Sequence, residues 1–476
     1  MRHVVVIGGG ISGLTACYRL VTEAQQRGIP LQVTLLEASE RVGGVIKTSR
    51  QDGFLIEHGP DAFLSTKPRA RALCEELGLA DQLIGTNPQQ RQSFVLCQGK
   101  LQPVPEGFYM MAPASFWPFV TTPIFSWRGK LRMALDLVIP PRRDGADESL
   151  EQFVKRRLGE EAFTRMAQPM VAGVYTADPR HLSLKATMPQ FLEMEQQYGS
   201  LIRALLHRKK AAQRTPTGTS GPRYSLFLTL QTGMQTLTDT LAARLPAGTI
   251  RCKAEVQQVE RLAPSRQWRI VLRRGEEMRA DALCIALPAL QAATLVKTID
   301  PELADLLAAI PYASSATLNF AFRRQEVTHP LNGMGFVVPL VEGRSLLACS
   351  FSSVKFAGRA PADHVLLRAF VGGALQPHLF EQPESALVEQ VLRDLRELLG
   401  IRAEPIHAVV SRHLKAMPQY HVGHLERVEH ITARLRSLPG LALVGNAYRG
   451  IGVPDCIQSA EQGASQLLDY LTARSA

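Results

Sequence analysis

The sequence lacks the marks of several protein classes. Its seven cysteines are scattered over 476 residues and form no C-x-x-C pair, which disfavours a disulfide framework or a thiolate zinc site and favours the reducing cytoplasm. The twelve histidines form no ligand motif with cysteines or carboxylates, so we predict no metal site. The apolar run after Met1 is broken by Gly8, Gly9 and Gly10, too early for a secretory signal.

Charge and length narrow the remaining classes. Lysines and arginines number 54 against 43 aspartates and glutamates, and this net charge of +11 favours an anionic partner. Because the cations are spread along the chain rather than gathered in a tail, we expect no nucleic-acid binding and consider acidic lipid or a polycarboxylate substrate instead. A chain of this length that is 45% hydrophobic predicts a globular protein of two or three domains.

One segment, residues 107–127, contains no charged residue. Three prolines interrupt it, which argues against a continuous membrane-spanning helix. The segment is rich in aromatic residues and three cations follow it: Phe108, Tyr109, Phe116, Trp117, Phe119, Phe125 and Trp127, then Arg128, Lys130 and Arg132. Aromatic residues beside cations are typical of a peripheral membrane contact, and they equally suit the wall of an apolar pocket. Both interpretations stay open.

The hydropathy pattern predicts an α/β chain. The segments His3–Ile7, Ser12–Gln25 and Gln32–Glu37 have the patterns of a strand, a helix and a strand, which make a βαβ unit. Residues 130–210 are expected to be mainly helical, and Arg208–Pro222 an exposed polar loop. Further strands are expected at 250–259, 268–272, 282–287, 312–322 and 334–351, with 282–287 as the last strand of the first sheet. A strand, a glycine loop and a helix recur over Leu441–Leu471.

The turn after the first strand carries a dinucleotide-binding motif, G-x-G-x-x-G, made of Gly8, Gly9, Gly10, Ile11, Ser12 and Gly13. The first glycine permits a tight turn, the second lets a pyrophosphate approach the backbone, and the third lets the helix pack close to the strand. Glu37 ends the second strand, where a carboxylate can accept hydrogen bonds from ribose hydroxyls. A carboxylate at this position disfavours NADP.

Two further motifs favour FAD. Arg41-Val42-Gly43-Gly44 closely follows Glu37, so a second loop can lie against the cofactor while Arg41 neutralises diphosphate charge. Its spacing resembles the FAD-binding start of amine-oxidase-like flavoproteins. In these proteins a C-terminal helix also points its positive end at the flavin, and a helix beginning near Pro454 fits that role. We therefore predict non-covalently bound FAD.

Five stretches together resemble the flavin-dependent porphyrinogen oxidases of haem biosynthesis, which oxidise protoporphyrinogen IX or coproporphyrinogen III. The stretches are Gly8–Leu20, Glu57–Leu64, Gly173–Thr187, Met417–Val428 and Gly445–Ser459. They span nearly the whole chain, and the middle three distinguish this family from other flavin oxidases. The fold implied is a Rossmann-like FAD-binding domain with an inserted α+β substrate domain and a mainly helical region that contacts a membrane.

The resemblance also implies site residues. Those assigned to FAD are Gly8, Gly9, Gly10, Ile11, Ser12, Gly13, Glu37, Ala38, Arg41, Gly44, Gly59, Pro60, Val256, Ile451, Gly452 and Val453. Gly173 would border the substrate cavity. Protoporphyrinogen-oxidising members place a basic residue where this chain has Ser93, so Arg91 and Lys67 become the candidates for binding a substrate carboxylate. Which porphyrinogen is oxidised therefore stays open.

The domain boundaries expected are discontinuous. Residues 1–65, 226–297 and 437–476 would bind FAD, residues 90–210 would form the helical region, and residues 66–89, 211–225 and 298–436 would bind the substrate. The protein is expected in the cytoplasm, peripheral on the inner face of the membrane, with hand-off of its product to a haem-pathway chelatase.

The implied reaction is a six-electron oxidation, hence three rounds of flavin reduction and reoxidation by dioxygen to hydrogen peroxide. Since the flavin carries this chemistry, we expect no essential side-chain base and assign His421 and His424 structural roles. Two alternatives stay open. One is another flavoenzyme of the superfamily, an amine oxidase or a carotenoid desaturase. The other is a non-catalytic flavin- or haem-binding protein.

Overall fold

A computed structural model describes residues 1–106, 108–109, 111–113, 115–214 and 226–473. Five parallel strands form the first sheet, in the spatial order Ile250–Arg251, Leu31–Leu36, Arg2–Ile7, Ala282–Ile285 and Leu441–Leu443. The predicted βαβ unit is present, with its helix over Ile11–Gln26. Two predictions were wrong: Ala282–Ile285 lies inside the sheet with Leu441–Leu443 at its edge, and the strand expected over 250–259 is broken at 252–255.

Both faces of the parallel sheet are covered, as such a sheet requires. On one face, the N-terminal helix packs with the helices Pro68–Glu76, Gln235–Ala243 and Val453–Ala473. The helix Pro68–Glu76 comes from residues 66–89, which were expected in the substrate domain, and it packs in the core on this face of the parallel sheet. The other face is covered by the helices Ala289–Val296, Pro301–Ala308 and His424–Arg436 and by an antiparallel sheet of Val256–Arg261, Trp268–Leu272 and Glu277–Ala280.

A second sheet has seven strands, and we call it the large sheet. Its strands, in spatial order, are His407–Pro418, Tyr312–Arg323, His364–Gly372, Ala348–Phe351, Gly335–Val337, Ser93–Cys97 and Lys100–Pro103. The expected strand over 334–351 is therefore two strands. Ser93–Cys97 and Lys100–Pro103 belong to this sheet, at the start of the segment 90–210 that was expected to be mainly helical. One face packs on the helix Glu384–Leu399, with the short helices Ser352–Lys355 and Pro377–Phe380 nearby.

Short strand pairs link these parts. Thr48–Gln51 pairs with Phe54–Glu57, and Phe108–Tyr109 pairs with Ala112–Pro113. Phe227–Leu230 lies between Phe63–Leu64 and Leu83–Gly85.

The helical region spans residues 115–214. Its helices are Phe116–Thr121, Trp127–Ala134, Leu150–Arg157, Glu160–Ala162, Gln168–Tyr175, Leu184–Thr187, Pro189–Tyr198 and Leu201–Arg214, with a wide turn over Phe163–Ala167. The loop expected at Arg208–Pro222 is wrong up to residue 214, since those residues continue a helix, and residues 215–222 lie outside the described residues. Within the described ranges, no helix is both long and apolar enough to cross a membrane.

Candidate flavin site

The site starts at the first turn of the parallel sheet. Gly8 has φ of +104°, a backbone conformation that glycine adopts without strain. A Cβ added to Gly13 would lie 1.8 Å from the carbonyl oxygen of Gly8, so only glycine permits this approach of helix and strand. Gly10 differs, since a Cβ there would meet nothing within 4 Å. The motif therefore combines three packed glycines, Gly8, Gly9 and Gly13, with one, Gly10, that faces open space.

Glu37 follows the second strand directly and binds two backbone N–H groups. Its Oε2 accepts from Gly9 N at 2.7 Å, and its Oε1 accepts from Ser39 N at 2.8 Å. The carboxylate is thereby fixed beside the glycine turn, where the sequence predicts the ribose. A cleft of about 410 Å³ opens next to it, between Ala38–Glu40 and Arg251–Glu255. Val256 follows this cleft as the first residue of its strand.

The R-x-G-G motif lies against the glycine turn. Gly43 N donates to Gly9 O at 2.7 Å, and a Cβ added to Gly44 would lie 3.1 Å from the Cα of Gly10. The guanidinium of Arg41 donates to the carbonyls of its own loop, at Val42, Gly44 and Ile46. In this structure Arg41 therefore shapes the loop. Its predicted contact with diphosphate stays a prediction.

Gly59 lies against the same loop, and Pro60 follows it in the chain. A Cβ added to Gly59 would lie 1.9 Å from the carbonyl oxygen of Val45, so this contact too requires glycine. The carbonyl of Gly59 accepts a hydrogen bond from the buried Arg368 of the large sheet. Sequence reasoning missed Arg368. The available signal was a cation inside the apolar strand His364–Gly372, since buried cations need a specific partner.

The C-terminal helix begins beside the N-terminal one. Gly452 N donates to Asp455 Oδ2 at 3.1 Å, which closes the loop of Ile451, Gly452 and Val453 around the helix start. The two helices share a core, and Arg19 contacts Glu461 at 2.7 Å. The head and the tail of the chain thus lie together at the predicted site.

Two of the three distinguishing sequence blocks meet at this C-terminal loop. Leu182 of the Gly173–Thr187 block pairs with His421 of the Met417–Val428 block. Tyr420 then joins the second block to the loop, because its hydroxyl donates to Asn446 O at 2.5 Å and accepts from Gly450 N at 2.9 Å. Tyr420 is 2% exposed. Sequence reasoning quoted its block without assigning it this role.

The two histidines of this block differ in surroundings. His424 is fully buried, with its Nε2 at 2.9 Å from the carbonyl of Tyr448 and its ring stacked on Tyr420. Burial lowers the pKa of His424 to about 4. Burial, followed by the neighbouring His181, also lowers the pKa of His421. The contacts of His424 fit the structural role expected for it.

The candidate substrate residues lie at different places. Gly173 faces the large sheet, since a Cβ added there would lie 3.7 Å from Ala348 Cβ and Val337 Cγ1. Lys67 Nζ contacts both carboxylate oxygens of Asp455 at 2.7 Å, and its side chain is 47% exposed. Arg91 is exposed just before the strand Ser93–Cys97. The structure thus brings Lys67 to the C-terminal loop, and Arg91 to an end of the large sheet.

The residues present fit a flavin dinucleotide. The helix Ile11–Gln26 has no side-chain cap at its N-terminus, so its first N–H groups are available to a phosphate. Open space above Gly10 gives that phosphate room. The loops around Gly44, Gly59 and Gly452 adjoin the same end of the sheet, where α/β proteins bind ligands.

A family model for flavin-containing amine oxidoreductases matches residues 11–468. The chain therefore belongs to this family. Its members are flavoproteins, which agrees with the predicted class of cofactor and with the α/β fold.

Relatives of the chain within this family match it over its full length. Coproporphyrinogen III oxidase of Bacillus subtilis is 34% identical over 99% of this chain and 98% of its own. The chloroplastic protoporphyrinogen oxidase of Oryza sativa is 30% identical over 98% of this chain and 88% of its own. A crystal structure of an Exiguobacterium protein provisionally named a protoporphyrinogen oxidase superposes with a TM-score of 0.85, at 32% identity and 99% coverage of both chains. The predicted resemblance to porphyrinogen oxidases is confirmed.

Proposed function

We propose that this protein is an FAD-dependent porphyrinogen oxidase of haem biosynthesis. The observation that carries the proposal is the meeting of two of its three distinguishing blocks. Leu182 and His421 pair, and Tyr420 joins them to the loop at Asn446 and Gly450. Residues that separate this family from other flavin oxidases thus adjoin the predicted flavin loop, where substrate specificity is decided. The full-length relatives support the same function.

Coproporphyrinogen III is the substrate we propose first. The coproporphyrinogen III oxidase of Bacillus subtilis is 34% identical over 98% of its length, whereas the Oryza sativa protoporphyrinogen oxidase is 30% identical over 88%. Ser93 also stands where protoporphyrinogen-oxidising members place a cation. Lys67, half-exposed at the C-terminal loop, is the cation we propose for a substrate carboxylate. Protoporphyrinogen IX, with two propionates instead of four, is the second candidate.

The chain's own residues would bind and orient rather than transfer protons. A bound flavin supplies the redox chemistry, taking two electrons in each of three rounds and passing them to dioxygen. The glycine turn and Glu37 would hold its nucleotide, and the loops at Gly59 and Gly452 would border its ring. His424 is fully buried against Tyr448 and cannot reach a substrate. This agrees with the expectation of no essential side-chain base.

The test feeds each porphyrinogen separately to the purified, flavin-loaded protein. Porphyrin fluorescence and peroxide should rise together, with a higher kcat/KM for coproporphyrinogen III. Boiled protein and buffer alone control for oxidation by air. If neither porphyrinogen is consumed faster than in these controls, the proposed function is wrong. If only protoporphyrinogen IX is consumed, the enzyme class stands and the proposed substrate is wrong.

We also propose a peripheral membrane contact. The aromatic segment is divided, because Phe119 and Phe125 are buried in the helical core whereas Trp117 and Trp127 are 73% and 66% exposed. The residues Gly107, Met110 and Ala114, and the side chains of Tyr109 and Phe116, lie outside the described residues. Apolar residues four apart continue from Trp127 along one helical face: Leu131 and Leu135, 70% and 50% exposed. We therefore assign the buried aromatic residues to the core of the helical region and propose the exposed ones for the membrane contact.

One cation beside this face, Arg128, is exposed, whereas Lys130 is only 8% exposed. Lys130 lies with its Nζ 4.7 Å from the ring of Trp127 and donates to Val120 O at 2.6 Å. An exposed apolar face beside cations is the arrangement of an interfacial helix.

Vesicle flotation tests the contact. Wild-type protein should float with vesicles containing acidic lipid, and Leu131→Glu should reduce the floated fraction several-fold. Because Leu131 is exposed, its substitution should change stability by less than about 0.5 kcal/mol. Val341→Glu, at another exposed apolar position, is the matched control. Equal flotation of all three proteins, or none for the wild type, would contradict the contact.

A further inference from the structure

The large sheet contacts the segment that contains Gly59 and Pro60, which are predicted to bind the flavin. It does so through three successive backbone carbonyl groups. The carbonyls of residues 57, 58 and 59 accept hydrogen bonds from side chains on its strands: Asn319 on Glu57 O, Thr317 and His413 on His58 O, and Arg368 on Gly59 O. The strand register explains the grouping. Thr317 and Asn319 point to one face, and Arg368 pairs with Asn319 on the neighbouring strand.

Arg368 differs from the other side chains that bond these carbonyls because it is a charged group, and it is buried between the large sheet and this segment. It is 3% exposed. Its Nη2 donates to Gly59 O, whereas its Nε and Nη1 have no hydrogen-bond partner in the described part of the chain. Burial without full hydrogen bonding is costly for a cation. The position therefore holds a positive charge that local contacts satisfy only in part.

The nearby carboxylate does not cancel this charge. Asp61 lies 4.0 Å from Arg368 Nη1 but only 3.0 Å from Lys355 Nζ. Burial alone would raise the pKa of Asp61, but Lys355 and Arg368 outweigh it and lower the pKa to about 2. Asp61 is thus ionised and shared by two cations. Around this segment three cations, Arg368, Lys355 and Arg359, accompany two carboxylates, Asp61 and Glu57, so one positive charge is left in excess.

We propose that Arg368 is a positioning residue for the flavin, whose buried charge beside the Gly59–Pro60 turn stabilises the reduced cofactor. This rests on the proposed FAD site, because it takes Gly59 and Pro60 as flavin contacts. Reduction adds negative charge to the ring system, and a fixed cation in a buried site lowers the free energy of that form. The three anchored carbonyls keep the distance between charge and cofactor constant.

The test measures the flavin midpoint potential by anaerobic reduction beside a reference dye. It needs no porphyrinogen, so its outcome is independent of which substrate the enzyme takes. Arg368→Met should lower the equilibrium constant for reduction about tenfold, a shift of about 30 mV to lower potential for a two-electron couple. Arg368→Lys should restore most of it. Asp61→Asn, which removes the opposing charge, should shift the potential upward.

Arg368→Met and Asp61→Asn should shift the midpoint potential in opposite directions. This distinguishes an effect of charge from a structural disturbance. Thr317→Val is the matched control, since it removes a neighbouring bond to the same segment, 3.2 Å long, without changing charge. It should leave the potential unchanged. A wild-type potential in flavin-loaded Arg368→Met, or shifts of one sign for Arg368→Met and Asp61→Asn, would overturn the proposal. If Arg368→Met retains no flavin, the proposal is tested with Arg368→Lys and Asp61→Asn instead. A midpoint potential of Asp61→Asn at or below the wild-type value would then overturn the proposal.

Discussion

The parallel sheet and the helical region are stabilised in different ways. At the sheet, backbone meets backbone, and an added Cβ would lie 1.8 Å from Gly8 O at Gly13 and 1.9 Å from Val45 O at Gly59. In the helical region, charged side chains make the stabilising contacts. Arg157 and Asp136 are fully buried and 2.5 Å apart, and Arg157 also donates to the carbonyls of Ile139 and Gly199.

This difference decides what a sequence reveals. A glycine that must be glycine appears at fixed spacing from its strand, so the motif is local and readable. A buried ion pair joins residues that are distant along the chain, and an arginine in a helix has the same appearance whether it is buried or exposed. Substitutions that add atoms should therefore destabilise the parallel sheet, whereas substitutions that remove a charged side chain should destabilise the helical region.

The largest effect is expected at Gly13. Its replacement by alanine would place a methyl group against Gly8 O, and the backbone must move apart. Overpacking of side chains costs about 1–3 kcal/mol, and against fixed backbone we expect at least the upper value. Gly13→Ala should thus lose both bound flavin and stability, measured by flavin absorbance and urea unfolding.

Gly10→Ala is its matched partner, because φ at Gly10 is −71° and no atom lies within 4 Å of the added Cβ. It should keep the unfolding free energy within about 1 kcal/mol but lose flavin affinity, since the methyl group occupies the phosphate space. If both variants unfold alike, or Gly10→Ala keeps full affinity, the distinction between the two glycines is wrong.

Arg157→Met should reduce stability by a similar amount but leave flavin binding intact, so its overall effect comes next. It leaves Asp136 buried without its cation, and breaking such a pair costs about 3–5 kcal/mol. The folded fraction should keep its flavin, because the change lies in the helical core. Urea unfolding followed by far-UV circular dichroism and by flavin release checks this.

The control is Arg142→Met. Arg142 is 36% exposed and pairs with Asp144, so the cost should be about 1 kcal/mol or less. Release of flavin by Arg157→Met well before unfolding would show that the two regions are not independent.

The sequence predicted the regions unequally. The βαβ unit, the glycine turn beside Glu37 and the meeting of the chain ends were predicted because each follows from local spacing. The edge position of Leu441–Leu443 was not, since strand order depends on tertiary packing. The helix through Leu201–Arg214 was partly taken for a loop because its polar end has loop-like composition. Arg368 was missed because its partner is a backbone carbonyl, which no side-chain pattern marks.

Tyr420→Phe tests the junction between the regions. The change leaves Asn446 O and Gly450 N without this partner, and unsatisfied buried groups cost about 1–3 kcal/mol. Flavin affinity should fall as well, since the loop that these bonds hold adjoins the predicted ring. Tyr18→Phe, which removes a surface hydroxyl bonded to Glu76, is the control and should change both by little. Unchanged flavin affinity in Tyr420→Phe would show that the hydrogen bonds of Tyr420 do not affect the cofactor site.

The smallest effect concerns pH at the same junction. Burial lowers the pKa of His424 to about 4 in the folded protein, against an ordinary value of 6.5. The unfolded chain therefore takes up a proton at higher pH than the folded one. The contribution of His424 to the free energy of unfolding is therefore fully present above about pH 6.5, where the histidine is neutral in both states. This contribution is lost as the pH falls towards 4. His424→Gln should weaken the fall of the melting temperature in that window, whereas His430→Gln, at an exposed position on the same helix, should not. Equal pH profiles for the two variants would contradict this, because they would mean that the pKa of His424 is the same in the folded and the unfolded protein.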